Sequence, residues 1–381
     1  MIKRTLETTI QSRLFKNKAI ILMGPRQVGK TTLIKTLFND RDDILWLNGD
    51  EQDVRDLFEN ISSTRLKAII GTNKIVVIDE AQRISDIGIK LKLITDQIKD
   101  VQLVATGSSS FELANLINEP LTGRKWEYKL LPVSFEEMSN QNGLLEEKRM
   151  LQQRMIYGYY PEIVTNPGNE KELLAQLADS YLYRDILTLD KVKKTDKIVR
   201  LLQALAFQLG SEVSYNELAQ LCGLDSKTVE KYVTLLEQSY IIFRLGSFSS
   251  NLRNELRYSR KIYFTDNGIR NAVLGNFTQL ESRTDAGALF ENFAISERMK
   301  LLEYHNPFSH SWFWRTTAKQ EIDYIEQIDG KMSAFEFKWN PKKKASAPSM
   351  FEKNYPNVPF KVINRDNIED FVISQQLSKS N

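Results

Sequence analysis

A glycine-rich stretch near the amino terminus constrains the fold more than any other part of the chain. Gly24–Thr31 reads Gly-Pro-Arg-Gln-Val-Gly-Lys-Thr, which matches the phosphate-binding pattern G-x-x-x-x-G-K-[ST]. The apolar run Ala19–Met23 precedes it and is typical of a buried parallel strand. Thr31–Leu37 follows and is typical of the first turns of a helix. The sequence therefore predicts an α/β fold organised around a strand, a phosphate-binding loop and a helix.

Each fixed position of this loop has a chemical reason. Gly24 and Gly29 allow the backbone to approach phosphate oxygens, and successive N–H groups at the helix N-terminus face the anion. Lys30 is a point charge for the β- and γ-phosphates, and Thr31 offers a hydroxyl to Mg²⁺. The predicted ATP contacts are Gly24, Pro25, Arg26, Gln27, Val28, Gly29, Lys30, Thr31 and Thr32.

An acidic pair follows another candidate strand. Ile75–Ile78 is apolar and mostly β-branched, and Asp79 and Glu80 come directly after it. Ligands of open α/β sheets gather at the carboxyl ends of the strands. We therefore predict that Asp79 holds Mg²⁺ through water and that Glu80 is the general base that activates the attacking water. A solvated acidic pair at the end of a strand is the alternative.

Three further strands complete the predicted sheet, at Ile44–Asn48, Val101–Thr106 and Trp126–Leu131. Ser108 follows the second of these, where a polar side chain can sense the γ-phosphate or place the water. A serine-rich turn that caps the next helix is equally consistent with the pattern. Arg124 precedes the last strand and is a candidate charge stabiliser for phosphate, in cis or toward a neighbouring subunit. A surface ion pair is the commoner role of such an arginine.

The ordered set of these motifs resembles the prokaryotic AAA-type ATP-binding proteins whose C-terminal half is a domain of unknown function. The segments that carry the resemblance are the phosphate loop, Val77–Glu80, Thr106–Ser109, Gly123-Arg124, Leu131–Glu136, Gly158–Glu162 and Tyr183–Ile186. The resemblance implies a five-stranded AAA core in residues 1–140, with ATP at Gly24–Thr31 and Mg²⁺ near Thr31 and Asp79. It leaves monomer, dimer and ring-shaped oligomer open.

Residues 141–194 are predicted to form a helical lid. Gly143–Met155 is rich in good helix formers, and Glu172–Leu189 repeats apolar residues at close to helical spacing. Arg184 lies on the second segment and is a candidate lid sensor for the nucleotide. An ion pair on the helix surface is the alternative interpretation of Arg184.

Residues 195–275 are predicted to form a winged helix-turn-helix. After a first helix at Ile198–Leu209, Ser214 and Ser226 are the predicted caps of two further helices. In the DNA-reading version of this fold the last helix enters the major groove. Its outward candidates are Lys227, Thr228, Lys231 and Tyr232.

The predicted wing carries positive charge that suits contact with a nucleic-acid backbone. Its strands are Tyr240–Leu245 and Lys261–Phe264. The basic residues around them are Arg253, Arg257, Arg260 and Lys261. Winged modules also join domains or bind protein, so DNA and a protein partner both remain open.

Residues 284–375 resemble the PD-(D/E)xK nuclease-like fold, an α/β fold of the restriction-endonuclease type. The resemblance places Asp323 at the first acidic position and Glu336-Phe337-Lys338 as the E-x-K element, with Glu291 on a long helix as an extra metal ligand. Such chemistry requires carboxylate oxygens for a hard divalent ion and a lysine near the attacking water. A polar strand face with an internal Lys–Glu pair is the alternative.

Composition excludes several other kinds of site. The net charge of +3 over 381 residues is too small to predict nucleic-acid binding by itself. One cysteine, Cys222, and two histidines exclude a disulfide framework and a cysteine- or histidine-rich metal site. The N-terminus lacks the apolar core of a signal peptide, and no run approaches the roughly 18 apolar residues of a membrane span. We therefore expect a cytoplasmic protein without a membrane partner.

Three functions follow from these patterns. The first is an ATPase, with ATP and Mg²⁺ as cofactors, whose nucleotide state controls the C-terminal domains and their contact with DNA. The second is an interaction switch that binds ATP, hydrolyses it slowly and docks a protein partner through an inactive nuclease-like domain. The third is an ATP-regulated, metal-dependent DNA nuclease.

Overall fold

The structure is a computed structural model that describes residues 1–59, 61–108, 117, 119–179, 195–248 and 260–374. The chain folds as two compact units. The first comprises Met1–Pro132 with Gln238–Tyr240, and the second comprises Val133–Glu237 with Ile241–Asn381. The domain boundaries predicted after residues 140, 194 and 275 stay predictions.

The first unit contains five parallel strands. They are β1 (Ala19–Met23), β2 (Ile44–Asn48), β3 (Ile75–Asp79), β4 (Gln102–Gly107) and β5 (Lys125–Lys129). Their order in the sheet, β2-β3-β4-β1-β5, confirms the predicted five-stranded parallel sheet. β1, β3 and β4 are buried along their whole length, which is why apolar runs mark β1 and most of β3 in the sequence. β5 ends at Lys129, two residues earlier than predicted.

Five helices accompany this sheet in the described part of the first unit. They are α1 (Thr5–Arg13), α2 (Lys30–Leu37), α3 (Gln52–Phe58), α4 (Ser63–Ile70) and α5 (Ile87–Gln97), with a short 3₁₀ turn at Ala81–Arg83. α2 begins directly after the glycine-rich loop and buries Leu33 and Ile34. Its first turn therefore lies next to the carboxyl end of β1, where the N-terminus of a helix attracts anions.

The second unit begins with short helices. They are α6 (Phe135–Asn142), α7 (Leu144–Arg149), α8 (Leu151–Tyr157) and α9 (Pro161–Thr165), and residues 170–179 are also helical. The segment Gly143–Met155, which is rich in helix formers, is helical over most of its length, with α7 ending at Arg149 and α8 beginning at Leu151. Residues 180–194, with the predicted lid sensor Arg184, lie outside the described residues.

The next segment has the element order helix, strand, helix, helix, strand, strand. These elements are α10 (Thr195–Phe207), β6 (Glu212–Val213), α11 (Tyr215–Cys222), α12 (Ser226–Gln238), β7 (Ile242–Ser247) and β8 (Arg260–Phe264). β8 pairs antiparallel with both β6 and β7. The Ser214 hydroxyl accepts a hydrogen bond from the Glu217 N–H (3.4 Å), as predicted for a cap. The predicted cap at Ser226 is wrong, because Asp225 accepts the hydrogen bond from the Thr228 N–H (2.9 Å).

Two residues of the predicted DNA-contacting face are buried. Tyr232 is 8% exposed and Lys261 is 1% exposed, so neither side chain is available to a nucleic-acid backbone. Arg260 is partly buried and donates a hydrogen bond to the Tyr215 hydroxyl (3.4 Å). Lys227 and Lys231 on α12 are exposed. Arg253 and Arg257 lie outside the described residues.

The remaining elements join the wing strands in one mixed sheet. They are α13 (Asn267–Leu274), α14 (Ala286–His305), β9 (His310–Arg315), β10 (Glu321–Ile328), β11 (Lys331–Phe337), α15 (Ser349–Asn354), β12 (Phe360–Ile363) and α16 (Glu369–Val372). The sheet has seven strands in the order β12-β11-β10-β9-β7-β8-β6. β7 and β9 pair in parallel at Gly246 and Trp312. None of the helices in the described residues has both the length and the apolar content to cross a membrane.

Candidate functional site

The loop between β1 and α2 has the backbone conformation of a phosphate cradle. Gly24 (φ 154°), Gln27 (φ 59°) and Gly29 (φ 91°) all have positive φ, which turns successive peptide groups toward one side. A Cβ atom at Gly24 would lie 2.0 Å from the carbonyl oxygen of Leu130, so only glycine fits there. Val28 is fully buried and anchors the loop, whereas Gln27 is exposed.

Lys30 lies against this loop. Its Nζ donates to the carbonyl oxygens of Gly24 (2.9 Å) and Pro25 (2.8 Å), and the residue is 6% exposed. The ammonium group is therefore held within the curve of the loop that would receive phosphates. Of the other predicted contacts, Arg26 is partly buried and Thr32 is exposed on the first turn of α2.

Arg4 supports the loop from the chain that precedes α1. Its Nη1 donates to Val28 O (2.8 Å) and its Nη2 donates to Leu131 O (2.6 Å), and the residue is buried. Arg4 was not among the predicted site residues, because no local pattern connects it with a loop 24 residues away.

The structure brings Thr31 and Asp79 into contact. Thr31 Oγ1 donates to Asp79 Oδ2 (2.7 Å). The other carboxylate oxygen, Oδ1, accepts a hydrogen bond from the Thr106 hydroxyl at the end of β4. A buried carboxylate held by two hydroxyls has a fixed orientation, which suits a site for a hard cation. Thr106 is a site residue that was not predicted individually.

Glu80 follows in a left-handed backbone conformation (φ 48°). Its backbone N–H donates to Thr106 Oγ1 (3.1 Å), and its Oε2 accepts a hydrogen bond from Gln82 Nε2 (2.6 Å). Gln82 Nε2 also donates to the buried Ser108 Oγ (3.0 Å). Gln82 therefore connects the predicted base with the predicted sensor. Its position in the turn directly after the acidic pair is the sequence signal that could have identified it.

If Glu80 is the general base of an ATPase, replacing Gln82 with alanine should lower the turnover number for ATP by about 3- to 10-fold, the usual net value of one hydrogen bond. Gln82 orients the Glu80 carboxylate and has no predicted contact with phosphate of its own. The affinity for ATP should therefore stay unchanged. The measurement is kcat and KM for the variant beside Gln97→Ala, which alters an exposed glutamine at the end of α5. A change in KM with an unchanged kcat would contradict this positioning role.

Arg124 does not lie near the phosphate loop of its own chain. The Ala19 N–H donates to Arg124 O (2.9 Å) at the start of β1, whereas the loop follows the end of β1. The four residue-to-residue steps of β1 separate its two ends by about 13 Å. Arg124 Nε donates instead to Asp96 Oδ1 (2.6 Å) in an ion pair. A stabilising role in cis is therefore wrong, and a role toward a neighbouring subunit stays a prediction.

The predicted second site lies in the seven-stranded sheet of the second unit. Asp323 Oδ2 accepts a hydrogen bond from the Phe337 N–H (2.9 Å), and Lys338 Nζ donates to Glu336 Oε1 (2.6 Å). Glu291 Oε1 accepts a hydrogen bond from the Tyr263 hydroxyl (2.6 Å). The part of the chain that the structure describes holds no group of three His, Cys, Asp or Glu side chains arranged around a metal position. The assignment of Glu291, Asp323 and Glu336 as metal ligands stays a prediction.

Electrostatic coupling nevertheless connects these carboxylates. Burial, reinforced by Glu291 and Glu336, raises the pKa of Asp323 to about 8. Burial also raises the pKa of Glu291, and Lys261 opposes that shift. Burial alone would lower the pKa of Lys261, but the surrounding carboxylates raise it above its usual value. Lys261 is thus the cation that faces this group of acids from β8.

Family models match successive parts of the chain. Residues 16–139 match an AAA domain. Residues 148–280 match a domain of unknown function (DUF8612), and residues 286–377 match another domain of unknown function (DUF4143). With its five-stranded parallel sheet and phosphate loop, the first unit matches the core of a P-loop ATPase.

The similarity to proteins of other organisms covers most of the chain. An uncharacterized protein of Mycobacterium tuberculosis is 27% identical over 359 residues, which cover 91% of this chain and 75% of that protein. An uncharacterized protein of Methanocaldococcus jannaschii is 24% identical over 346 residues, which cover 84% and 75%. Among solved structures, a Walker-type ATPase of Pyrococcus abyssi has a TM-score of 0.51 at 14% identity, covering 72% of this chain and 96% of that one. This last likeness shows a shared fold.

Proposed function

We propose that this protein is a Mg²⁺-dependent ATPase. The observation that carries the proposal is the hydrogen bond between Thr31 Oγ1 and Asp79 Oδ2 (2.7 Å). This contact joins the phosphate loop at the end of β1 to the acidic end of β3, so that the predicted phosphate-binding and water-activating residues share one edge of the sheet.

The residues at this edge fit bound Mg²⁺ and ATP. A hydroxyl and a carboxylate are oxygen ligands that Mg²⁺ accepts beside water and phosphate, and Thr31 and Asp79 would hold it there. When bound, the ion would neutralise charge on the β- and γ-phosphates. The Lys30 ammonium would bind the same oxygens. Its hydrogen bonds to the Gly24 and Pro25 carbonyls place Nζ inside the loop, and its flexible side chain can turn Nζ toward phosphate.

Glu80 would accept the proton of the attacking water. A general base must lie within hydrogen-bond reach of that water, and the Gln82 amide fixes the direction of the Glu80 carboxylate. Gln82 Oε1 is buried and accepts no hydrogen bond from the described residues, which leaves an acceptor for water beside Glu80. Ser108 would orient the γ-phosphate or the water from the end of β4.

We further propose that the nucleotide state controls the second unit. The order of α10, β6, α11, α12, β7 and β8 supports a winged helix-turn-helix, and α14 followed by β9–β12 supports a nuclease-like fold. The burial of Lys261 and Tyr232 removes two candidates from the DNA-contacting face, which favours a protein-docking role over DNA contact. The exposed Lys227 and Lys231 keep DNA as the other candidate partner.

The test is steady-state turnover of Mg²⁺-ATP by the full chain and by Lys30→Ala. The variant loses charge-assisted hydrogen bonds to phosphate, so ATP affinity in calorimetry should fall by about 10- to 150-fold and turnover should fall with it. Lys35→Ala, on the exposed side of the same helix, is the matched control and should behave as the native chain. Turnover that survives Lys30→Ala would refute the proposal, whereas ATP binding without any turnover would favour the interaction switch.

A further inference from the structure

Four carboxylates gather around β10 in the second unit, and we call them the acidic cluster. Glu321 and Asp323 lie on β10, Glu336 lies on β11, and Glu291 comes from α14. These include the residues that the nuclease-like resemblance assigns to a divalent metal ion. The contacts of their oxygen atoms show which cation the cluster is built to hold.

Lys261 of β8 enters the acidic cluster from a different strand. The residue is 1% exposed, and its Nζ lies 2.5 Å from Glu321 Oε1 and 3.4 Å from Glu291 Oε1. Tyr263, two residues later on the same face of β8, donates its hydroxyl to Glu291 Oε1 (2.6 Å). A Cβ atom at Gly210 would lie 3.2 Å from the same oxygen. The Glu291 carboxylate is therefore enclosed by an ammonium group, a phenol and the backbone.

The other members of the acidic cluster also have partners from the protein. Asp323 Oδ2 accepts the Phe337 N–H (2.9 Å), and Glu336 Oε1 accepts from Lys338 Nζ (2.6 Å). Arg315 Nε lies 3.6 Å from Glu321 Oε2. Buried carboxylates require such partners, and here a backbone N–H and two cationic side chains supply them.

We propose that the ammonium group of Lys261 takes the place of the divalent metal ion, so that the acidic cluster binds no Mg²⁺ or Mn²⁺ in the native chain. Mg²⁺ requires oxygen ligands at about 2.0–2.1 Å in octahedral geometry, and two of these carboxylates instead converge on Lys261 Nζ. A dication in the same pocket would also be repelled by the fixed charge of Lys261. The nuclease-like fold is then a structural and docking element whose acidic residues are neutralised from within.

This assignment explains why Lys261 is buried. The sequence places it among basic residues of a wing, where it would be expected to face solvent. In the structure Lys261 Nζ lies 5.4 Å from the centre of the Phe313 ring. The same ammonium group forms ion pairs with Glu291 of α14 and Glu321 of β10. Lys261 thereby connects β8, which belongs to the winged segment, with the strands of the nuclease-like segment.

Binding of Mn²⁺, followed by electron paramagnetic resonance on the nucleotide-free full chain, tests the proposal. The native chain and Asp323→Asn should bind the same number of Mn²⁺ ions, because Asp323 holds none in the native chain. Lys261→Met removes the internal cation and should gain one Mn²⁺ per chain, and Lys261→Met with Asp323→Asn should lose it again. Lys331→Met, at an exposed position on β11, is the control and should gain none.

Two results would overturn the proposal. One is a Mn²⁺ ion bound by the native chain and lost in Asp323→Asn, since that ion would occupy the acidic cluster beside Lys261. The other is a folded Lys261→Met variant that gains no Mn²⁺. If Lys261→Met does not fold, the comparison of the native chain with Asp323→Asn decides by itself. ATP turnover does not enter either readout, so this test is independent of the proposed ATPase function.

Discussion

Replacing Glu80 with glutamine is expected to lower the ATP turnover number by about 10²- to 10⁴-fold, the usual contribution of a general base. Glutamine preserves the size of the side chain and keeps an oxygen that can accept the Gln82 amide hydrogen bond. It cannot accept a proton from water. Thr31, Asp79 and Lys30 are unchanged, so ATP affinity should stay within a few-fold of the native value. Single-turnover kinetics and calorimetric titration of ATP together measure both quantities.

The matched control for this variant is Glu51→Gln, which makes the same chemical change at an exposed position before α3. Its turnover should equal that of the native chain. A Glu80→Gln variant that retains at least half of the native turnover would show that another group activates the water. A variant that loses ATP binding as well would show that Glu80 shapes the phosphate site.

Replacing Lys300 with methionine is expected to destabilise the second unit by about 3–5 kcal/mol, because the change leaves a buried acid without its cation. Lys300 is fully buried, and its Nζ lies 2.6 Å from Glu297 Oε1 and 3.1 Å from Val133 O. Methionine fills a similar volume, so the expected loss comes from the charge and the hydrogen bonds. The measurement is the free energy of unfolding from denaturant titration.

The loss of unfolding free energy in Lys300→Met should depend on pH, because the pKa of Glu297 depends on Lys300. Burial raises the pKa of Glu297, and Lys300 opposes that rise in the native chain. Without Lys300 the pKa of Glu297 should rise further, and an acid with a raised folded-state pKa loses stability as pH rises through that value. The difference in unfolding free energy between Lys300→Met and the native chain should therefore grow as pH rises. Lys353→Met, at an exposed position on α15, should show no deficit. A Lys300→Met loss below about 1 kcal/mol would contradict the buried-pair argument.

The features of the first unit that the sequence predicted are those encoded locally. β1 and β3 are buried on both faces, so each is a continuous apolar run. The glycines at 24 and 29 meet a backbone requirement within one loop. Contacts between segments that are distant in the sequence could not be predicted from local patterns. Arg4 reaches Val28 through the fold. The cis role of Arg124 was wrong because its own sequence neighbours do not show that it lies beside the start of β1.

Prediction in the second unit was limited by the same physical cause. The alternation of polar and apolar residues identified β10 and β11. The partner of a charged side chain depends on which strands become neighbours, and no pattern in the sequence placed β8 beside the acids of α14. Lys261 was therefore predicted at a surface, whereas the fold buries it among carboxylates.

The pairing of β7 with β9 bears on how the protein can be divided for experiments. These strands come from segments that the sequence assigns to different domains, yet Gly246 and Ser247 share backbone hydrogen bonding with Trp312 and Phe313. A fragment that starts at residue 284 would leave one side of β9 without its neighbour. Open strand edges of this kind template association between chains. A cut between residues 275 and 284 would thus divide a sheet, and fragments made there would be prone to aggregate.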